Sequence, residues 1–339
     1  RTMVLDPDPS APAGLLAHEH LVAAYDDPDA LRRLAFDCDA VTTEFENPPA
    51  AALDELAASV VVAPSPTAVR IAQDRIAEKA FLVDNGFPVG RFQVLDGDDS
   101  SIDASLVDLG AIIKTARFGY DGKGQRVVAG VADTVAAWAE LGGVDCVIEQ
   151  RLALDTELSV IVGRGVTGDV EAWPVAENTH VNGILDVSVV PAAVSDELAD
   201  RAVGLAMAVA DALDYVGVLA VEMFVAGGEL LVNELAPRPH NSGHWTLDAS
   251  VTSQYEQQVR AVCGLGLGSP AMTAPAIAMV NLLGDLWQGG DPDWATILDD
   301  PHAKLHLYGK SAARSGRKMG HLTVTAPNTT AAVARALEL

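Results

Sequence analysis

The sequence is poor in cations and in cysteine, and each shortage excludes a class of protein. Its 339 residues include 22 Lys and Arg against 47 Asp and Glu, which gives a formal net charge of −25. A chain this acidic is repelled by nucleic acid and by anionic lipid, so we expect neither as a partner. The three cysteines, Cys38, Cys146 and Cys263, lack CxxC spacing and indicate reduced thiols rather than a disulfide framework or a zinc site.

Long hydrophobic runs are also missing. No apolar stretch approaches the roughly 20 residues of a membrane-spanning helix, and no basic and apolar leader opens the chain. We therefore expect a cytoplasmic protein with no membrane partner. The hydrophobic share of 49% and the charged share of 20% are typical of a globular chain, and the length allows two or three domains.

Short apolar strands alternate with helices at the start of the chain. Strands are predicted at residues 2–5, 40–43 and 60–63, with helices between them, and this order favours a doubly wound parallel sheet up to about Pro64. A single helix is then predicted from the cap Ser65 to Gly86.

Beyond Pro88 the predicted strands come in pairs. Hairpins are expected for 111–115 with 125–128, 158–162 with 170–174, and 219–224 with 230–234. One long helix is predicted at 197–213 behind the cap Ser195. The last segment carries strands at 278–282, 304–307 and 321–325.

A glycine-rich segment, RFGYDGKGQ at 117–125, follows the strand that contains Lys114. It lacks the Ser or Thr of a Walker A loop and does not open a helix, so it is neither a P-loop nor a Rossmann turn. Exposed N–H groups together with Arg117 and Lys123 suit a flexible cover over polyphosphate. An ordinary glycine-rich hairpin is the alternative.

A pair of carboxylates, Glu222 and Glu234, lies on the strands joined around Gly227 and Gly228. With a three-residue loop, 227–229, the two glutamates face each other, whereas a two-residue loop puts them on opposite faces. Facing carboxylates repel unless a cation separates them, and oxygen ligands of this kind suit Mg²⁺. Two solvated strand glutamates are the alternative.

Two further polar segments stand out. The loop LAPRPHNSGHWTLD at 235–248 places Arg238, His240 and Asn241 where they can donate to an oxyanion, although a lone histidine is often a core residue. Residues 301–321 contain five cations and no acid, which in so acidic a chain favours a pocket for a phosphorylated small molecule over a solvated basic loop.

Together these segments resemble the ATP-grasp superfamily and, more narrowly, its N5-carboxyaminoimidazole ribonucleotide synthetase family. The most specific matches are VTTEFEN at 41–47, NELAPRPHNSGHWTLDA at 233–249 and HLYGKSAARSGRKMGH at 306–321. The family begins with a strand and a turn similar to GGGQLGRM, and this sequence starts after that point. We expect the missing strand and helix to belong to the full protein.

The resemblance implies an α/β fold, α+β overall, in three domains. An N-terminal doubly wound parallel-sheet domain would cover 1–64. The ATP-grasp domain would cover 65–268, with a lid at about 98–152. A small C-terminal β-rich domain at 269–339 would contribute to the ribonucleotide phosphate site. A homodimer is also implied.

The resemblance also implies a role for individual residues. One set of residues would bind ATP through its phosphates, adenine or ribose. It comprises Arg75, Lys114, Gly119, Tyr120, Asp121, Gly122, Lys123, Gly124, Gln125, Glu149, Gln150, Arg151, Leu152, Glu157, His180, Asn233 and Glu234. Around bicarbonate and the reacting amine they are Glu44, Tyr120, Asp121, Arg238, His240 and Asn241. Glu222 and Glu234 would hold Mg²⁺, and Lys310, Arg314, Arg317 and Lys318 would bind the substrate phosphate.

The implied reaction is carboxylation of aminoimidazole ribonucleotide by bicarbonate and ATP in purine biosynthesis. Bicarbonate is a poor electrophile, and its phosphorylation to carboxyphosphate supplies a good leaving group. The amine must lose a proton, for which Asp121 is the first candidate base and His240 the second. The alternatives are another ATP-grasp ligase, such as formate-dependent glycinamide ribonucleotide transformylase or a biotin carboxylase-like enzyme, and a non-catalytic nucleotide sensor.

Overall fold

A computed structural model describes residues 1–96, 101–119 and 123–339 of the chain. The first elements are β1 (Met3–Leu5), α1 (Pro12–Leu16), β2 (Glu19–Leu21), α2 (Pro28–Asp37), β3 (Ala40–Val41), α3 (Ala50–Ala57) and β4 (Val61–Val62). Strand β1 pairs with β2 and β3 pairs with β4, both in parallel. The predicted parallel pairing is thus found in two short ladders. Strand β2 was missed because its sequence, EHL, is mostly polar.

The helix predicted from Ser65 to Gly86 is two helices, α4 (Pro66–Ala72) and α5 (Arg75–Asp84). The single-helix prediction was wrong because the Asp74 side chain accepts from the N–H groups of Ile76 and Ala77 and caps a new helix. The break sets Arg75 in the first turn of α5, where its N–H donates to Ala116 O (2.9 Å).

A four-stranded antiparallel sheet follows. Its elements are β5 (Phe92–Leu95), α6 (Ala104–Val107), β6 (Ala111–Thr115), β7 (Gln125–Val128), α7 (Val131–Glu140) and β8 (Cys146–Gln150), and the strand order is β5-β8-β6-β7. The predicted β6–β7 hairpin is confirmed. Leu95, Ile113 and Ile148 are fully buried beneath the sheet's helices.

The remaining strands form one nine-stranded sheet. Its first elements are β9 (Thr156–Arg164), β10 (Val170–Ala172), β11 (Ala176–Val181), β12 (Ile184–Val190), α8 (Asp196–Ala212), β13 (Gly217–Ala226) and β14 (Glu229–Ala236). Then come α9 (Thr246–Ala249), α10 (Gln254–Val262), β15 (Ala276–Leu283), α11 (Ala295–Asp299), β16 (Ala303–Leu307), β17 (Lys318–Ala326) and α12 (Thr329–Glu338). The order is β14-β13-β9-β11-β12-β15-β17-β16, with β10 beside β9.

The predicted β9–β10 and β13–β14 hairpins are confirmed, and Ser195 caps α8 as expected. The small residues Ala202, Ala206 and Ala210 of α8 are fully buried, which lets this helix pack closely on β9 and β13. The three strands of the C-terminal segment continue the same sheet, because β15 pairs with β12 along four residues. In the described residues, no helix is both long and apolar enough to cross a lipid bilayer.

Candidate active site

Glu222 and Glu234 lie directly opposite each other on β13 and β14. The loop between the strands has two residues, Gly227 and Gly228, both with positive φ (59° and 79°), and Ala226 pairs with Glu229. Of the two loop lengths left open by the sequence, the structure has the two-residue one, and the expectation that this loop would put the glutamates on opposite faces was wrong. The two glutamates still meet because a bulge makes Asn233 an extra residue and shifts the register by one.

The surroundings shift the pKa values of the two carboxyl groups in opposite directions. Burial, together with the nearby charge of Glu234, raises the pKa of Glu222 to about 7. For Glu234, burial is outweighed by Arg75, whose Nη1 lies 3.0 Å from Oε2, so that its pKa is lowered. At neutral pH the pair thus carries a Glu234 carboxylate and a Glu222 that readily exchanges a proton.

Cations from two elements converge beside this pair. Lys114 Nζ on β6 lies 2.7 Å from Glu149 Oε2, and Lys79 Nζ on α5 lies 3.5 Å from Oε1 of the same carboxylate. Burial disfavours the Glu149 carboxylate, but the lysines outweigh it and lower its pKa to about 2. Lys79 also donates to Asn233 O (3.0 Å), which ties α5 to the bulge.

The glycine-rich segment lies between β6 and β7 in the chain, and its described residues Gly119, Lys123, Gly124 and Gln125 lie near the ends of these two paired strands. Gly124 has φ +69°, and a Cβ there would lie 2.6 Å from Thr115 Oγ1, so only glycine fits. Its carbonyl accepts from Thr115 N–H (2.8 Å). Tyr120, Asp121 and Gly122, which include our first candidate base, lie outside the described residues.

The expected nucleoside residues lie farther along the same surface. Gln150 ends β8, and Arg151 and Leu152 follow it, with the Arg151 N–H donating to Gly110 O (3.0 Å). Glu157 on β9 and His180 on β11 approach each other, with His180 Nδ1 2.9 Å from Glu157 Oε2. Burial disfavours the charged ring, yet the Glu157 hydrogen bond and charge leave the pKa of His180 raised.

The loop after β14 faces the carboxylate pair. Arg238 Nη2 lies 2.7 Å from Glu46 Oε2, and the charge of Glu44 also acts on this arginine. His240 Nε2 lies 3.2 Å from Glu222 Oε1. Both side-chain polar atoms of buried Asn241 have no hydrogen-bond partner among the described residues. His240 thus contacts the pair directly, the charge of Glu234 acts on Arg238, and Asn241 follows His240 in the chain, while Glu44 itself is exposed.

A buried chain of hydrogen bonds orients the His240 ring. Asn178 Nδ2 donates to Ser159 Oγ (2.9 Å), and Ser159 Oγ donates to Ser242 Oγ (2.8 Å). Ser242 Oγ, 2.9 Å from His240 Nδ1, is left to donate to that nitrogen. The neutral ring therefore carries its proton on Nε2, pointing to Glu222. Burial and Arg238 lower the pKa of His240 well below its usual value. With both nitrogens engaged, His240 has no free lone pair to act as the base.

The basic segment lies beside this loop. Lys318 contributes to the pKa of both Glu222 and His240, which puts its charge within electrostatic reach of the site. Lys310 Nζ donates to Lys318 O (2.8 Å) and Arg317 Nη1 donates to Ala312 O (2.8 Å), so the segment folds on itself. Gly284 packs against the Arg314 main chain, where a Cβ would lie 2.1 Å from its carbonyl oxygen.

Sequence reasoning missed several residues of this region. Glu46 pairs with Arg238, and buried Glu78 accepts from Leu235 N–H (2.9 Å). A helical spacing of three from Arg75 could have identified Glu78 as a cleft residue. A separate cluster that sequence reasoning also missed contains Asp248, His306 and His321, whose possible metal-ligand atoms lie within 4.8 Å of one another. The His306 and His321 rings stack face to face, with an angle of 11° between their planes.

Comparisons with known proteins cover most of the chain. Family models match residues 1–73 (ribonucleotide synthetase preATP-grasp domain), 80–255 (ATP-grasp domain) and 277–335 (phosphoribosylaminoimidazole carboxylase C-terminal domain). The N5-carboxyaminoimidazole ribonucleotide synthase of Brucella melitensis is 44% identical, over 97% of this chain and 90% of the relative.

Two solved structures are similar in fold. The N5-carboxyaminoimidazole ribonucleotide synthetase of Thermus thermophilus superposes with a TM-score of 0.90 at 41% identity, over 99% of this chain and 91% of that one. The synthase of Aspergillus clavatus, in complex with ADP and 5-aminoimidazole ribonucleotide, gives 0.87 at 31% identity, over 97% and 88%. The chain therefore belongs to the N5-carboxyaminoimidazole ribonucleotide synthase family of ATP-grasp ligases.

Proposed function

We propose that this chain carboxylates the exocyclic amine of 5-aminoimidazole ribonucleotide with bicarbonate, at the expense of ATP, in purine biosynthesis. The observation that carries the proposal is the half-buried, facing Glu222–Glu234 pair, with the Arg75 guanidinium 3.0 Å from Glu234 and His240 Nε2 3.2 Å from Glu222. This arrangement suits a reaction that transfers a phosphoryl group to one small anion and then joins that anion to an amine.

The ATP phosphates are proposed to bind between α5 and the β6–β7 hairpin. Arg75 and Lys114 each pair with a carboxylate, Glu234 and Glu149, so that both cations are held in place before nucleotide arrives. The glycine hairpin would close over the phosphates and exclude water. Glu157 and His180 would bind the ribose, and residues 149–152 would lie beside the adenine.

The carboxylate pair fits a hard divalent cation. Two facing, half-buried carboxyl groups repel each other, and desolvation with the charge of Glu234 already raises the pKa of Glu222 to about 7. Asn233 Oδ1 is buried beside them with no hydrogen-bond partner among the described residues. We therefore propose that Glu222, Glu234 and Asn233 line an Mg²⁺ site. When bound, Mg²⁺ supplies charge neutralisation for the transferring phosphoryl group.

The acceptor half is proposed to lie between the 238–241 loop and the basic segment. Arg238, His240 Nε2–H and the Asn241 amide would donate to bicarbonate and then to the carboxyphosphate formed from it. Lys310, Arg314, Arg317 and Lys318 would hold the phosphate of the ribonucleotide. Asp121 stays our candidate base for the amine proton, since both His240 ring nitrogens have other partners.

Substrate omission tests the proposal. ADP release would be followed with ATP, Mg²⁺, bicarbonate and aminoimidazole ribonucleotide, each omitted in turn, and with glycinamide ribonucleotide and formate as the competing pair. We expect full turnover with the first set only. Faster ADP release with the competing pair would identify the transformylase instead, and nucleotide binding without turnover would favour a sensor. Two other proposals need separate measurements. The mass of the chain in solution, from analytical ultracentrifugation, tests the proposed homodimer. Fractionation of the host cell tests the proposed cytoplasmic location.

A further inference from the structure

Gln254 holds the main chain of His240 with both ends of its side-chain amide. Oε1 accepts from the His240 N–H (2.8 Å), and Nε2 donates to the His240 carbonyl oxygen (2.8 Å). The Gln254 side chain is fully buried at the first position of α10. A buried amide that bonds both main-chain groups of one residue acts as a two-point clamp. The His240 N–H depends on it, because removing Oε1 leaves that donor unpaired, whereas the His240 carbonyl also accepts from the Gly243 N–H (3.0 Å).

Further contacts with the 240–246 loop hold the Gln254 side chain in place. Gln254 N–H donates to Thr246 Oγ1 (3.0 Å), and that hydroxyl donates to Gly243 O (2.7 Å). A Cβ on Gly243 would lie 2.5 Å from Gln254 Oε1, so the main chain passes in direct contact with the amide. The segment from His240 to Thr246 is therefore wrapped around a single glutamine.

We propose that Gln254 is a positioning residue for the carboxylation step, an inference that rests on the proposed function. It acts through its two neighbours in the site, His240 and Asn241. His240 Nε2 lies 3.2 Å from Glu222 Oε1, and the buried Asn241 amide has no hydrogen-bond partner in the described chain. Buried polar groups without partners are rare and indicate a ligand, here the carboxyl anion between the phosphoryl donor and the amine.

Helix α10 also provides a matched control. One turn along, Gln257 is equally buried and makes the same clamp on Gly268, with its Nε2 donating to the carbonyl (3.1 Å) and its Oε1 accepting from the N–H (2.8 Å). Gly268 is not among the site residues. The two glutamines therefore lie on the same helix, are equally buried and make the same pair of hydrogen bonds. They differ in the residue whose main chain they bind, His240 for Gln254 and Gly268 for Gln257.

The test compares Gln254→Met with Gln257→Met in the full chain, because methionine keeps the length and loses the amide. Both variants should lower the thermal midpoint by similar amounts. Only Gln254→Met should lower kcat, by about tenfold to a hundredfold, since a displacement of about 1 Å in a reacting group can cost that much. Its KM for ATP should stay near the unsubstituted value. It should release more than one ADP per carboxylated product, because a misplaced intermediate is lost to water.

Equal kcat losses in the two variants, or one ADP per product in Gln254→Met, would overturn the inference. If Gln254→Met does not fold, Thr246→Val is assayed instead. It removes the hydroxyl that anchors Gln254 and should also give excess ADP, and a ratio of one contradicts the inference. Absence of turnover in the unsubstituted chain, by contrast, would contradict the proposed function itself.

Discussion

The guanidinium of Arg75 lies 3.0 Å from Glu234 Oε2, so a cation at the start of α5 is paired with one carboxylate of a facing pair on β14 and β13. This contact joins two segments 159 residues apart in the chain. It also keeps Glu234 ionised although the group is partly desolvated, which leaves the neighbouring Glu222 as the member that takes up a proton near neutral pH.

Replacing Arg75 by methionine should impair both folding and nucleotide binding. The free energy of unfolding should fall by about 1–2 kcal/mol at neutral pH, because the half-buried Glu234 carboxylate loses a charged hydrogen bond that water replaces only in part. The KM for ATP should rise about tenfold or more if the same cation contacts a phosphate. Urea unfolding and steady-state kinetics measure the two effects.

Arg70→Met is the control for that change. Arg70 lies on α4 and pairs with Asp54 at the surface, where both side chains are about half exposed. Such pairs contribute little, so we expect less than about 1 kcal/mol and an unchanged KM for ATP. Equal effects of the two substitutions on KM would contradict a role for Arg75 at the nucleotide.

Glu78 should make the protein less stable as the pH rises. Burial and the charge of Glu234 raise its pKa to about 8, whereas the unfolded chain titrates near the ordinary value of 4.5. Between these values the folded state binds more protons than the unfolded state, so the free energy of unfolding falls with rising pH. The stabilising contribution is complete below pH 4.5 and is lost as the pH approaches about 8.

Glu78→Gln should flatten this slope, since glutamine stays neutral and its Oε1 can still accept from the Leu235 N–H. Denaturant unfolding at a series of pH values from 4.5 to 8 measures it. Glu55→Gln, on an exposed position of α3, removes the same charge without a buried site. If both variants keep the slope of the unsubstituted chain, Glu78 is not its origin.

Gly124→Ala should distort the β6–β7 hairpin and weaken ATP binding, and a second substitution, Thr115→Ala, should restore part of that binding. The new Cβ meets Thr115 Oγ1 at 2.6 Å, and a left-handed alanine costs about 1–2 kcal/mol more. Adding Thr115→Ala removes the clash but not the backbone strain. We expect a raised KM for ATP in the single variant and partial recovery in the double variant, and no recovery would show that the clash is not the cause.

Ser159→Ala should disturb the active site from the middle of the sheet. It removes the link between Asn178 and Ser242, leaving a buried amide N–H without its acceptor, at a cost of about 1–3 kcal/mol. With Ser242 free to reorient, the His240 ring loses the constraint that keeps its proton on Nε2. A lower kcat, together with a shift in the His240 nitrogen resonances, is the expected result. Unchanged resonances would mean that the chain of hydrogen bonds does not orient the ring.

Local signals predicted much of this molecule. The hairpins, the Ser195 cap and the strands of the last segment follow from periodicity and turn residues, and the structure has all of them. The break at Asp74 was also readable, since an aspartate before a helical stretch is a standard cap, but continuous helical patterning concealed it.

Long-range features could not be predicted in the same way. From the sequence, the Glu222–Glu234 pairing required a three-residue loop, whereas the structure reaches it with a two-residue loop and a bulge at Asn233. Nothing in the local sequence announces that bulge, because Asn233 is the residue whose carbonyl accepts from Lys79, 154 positions earlier. The partner of Arg238, Glu46, likewise comes from 192 positions earlier in the chain, and the partner of the His240 main chain, Gln254, comes from the next long helix, α10.

The pairing between β12 and β15 fixes where the proposed acceptor pocket lies relative to the carboxylate pair. Because β15 and β17 continue the central sheet, strand pairing fixes the distance from the carboxylates of β13 and β14 to Lys318 on β17 and to the end of the loop that carries the other cations. A slip of one residue would carry them about 3.3 Å along the strand and turn inward side chains outward. A chimaera that exchanges the C-terminal segment must therefore preserve the Val187–Val280 pairing. Otherwise the proposed phosphate-binding cations will be displaced from the carboxylate pair.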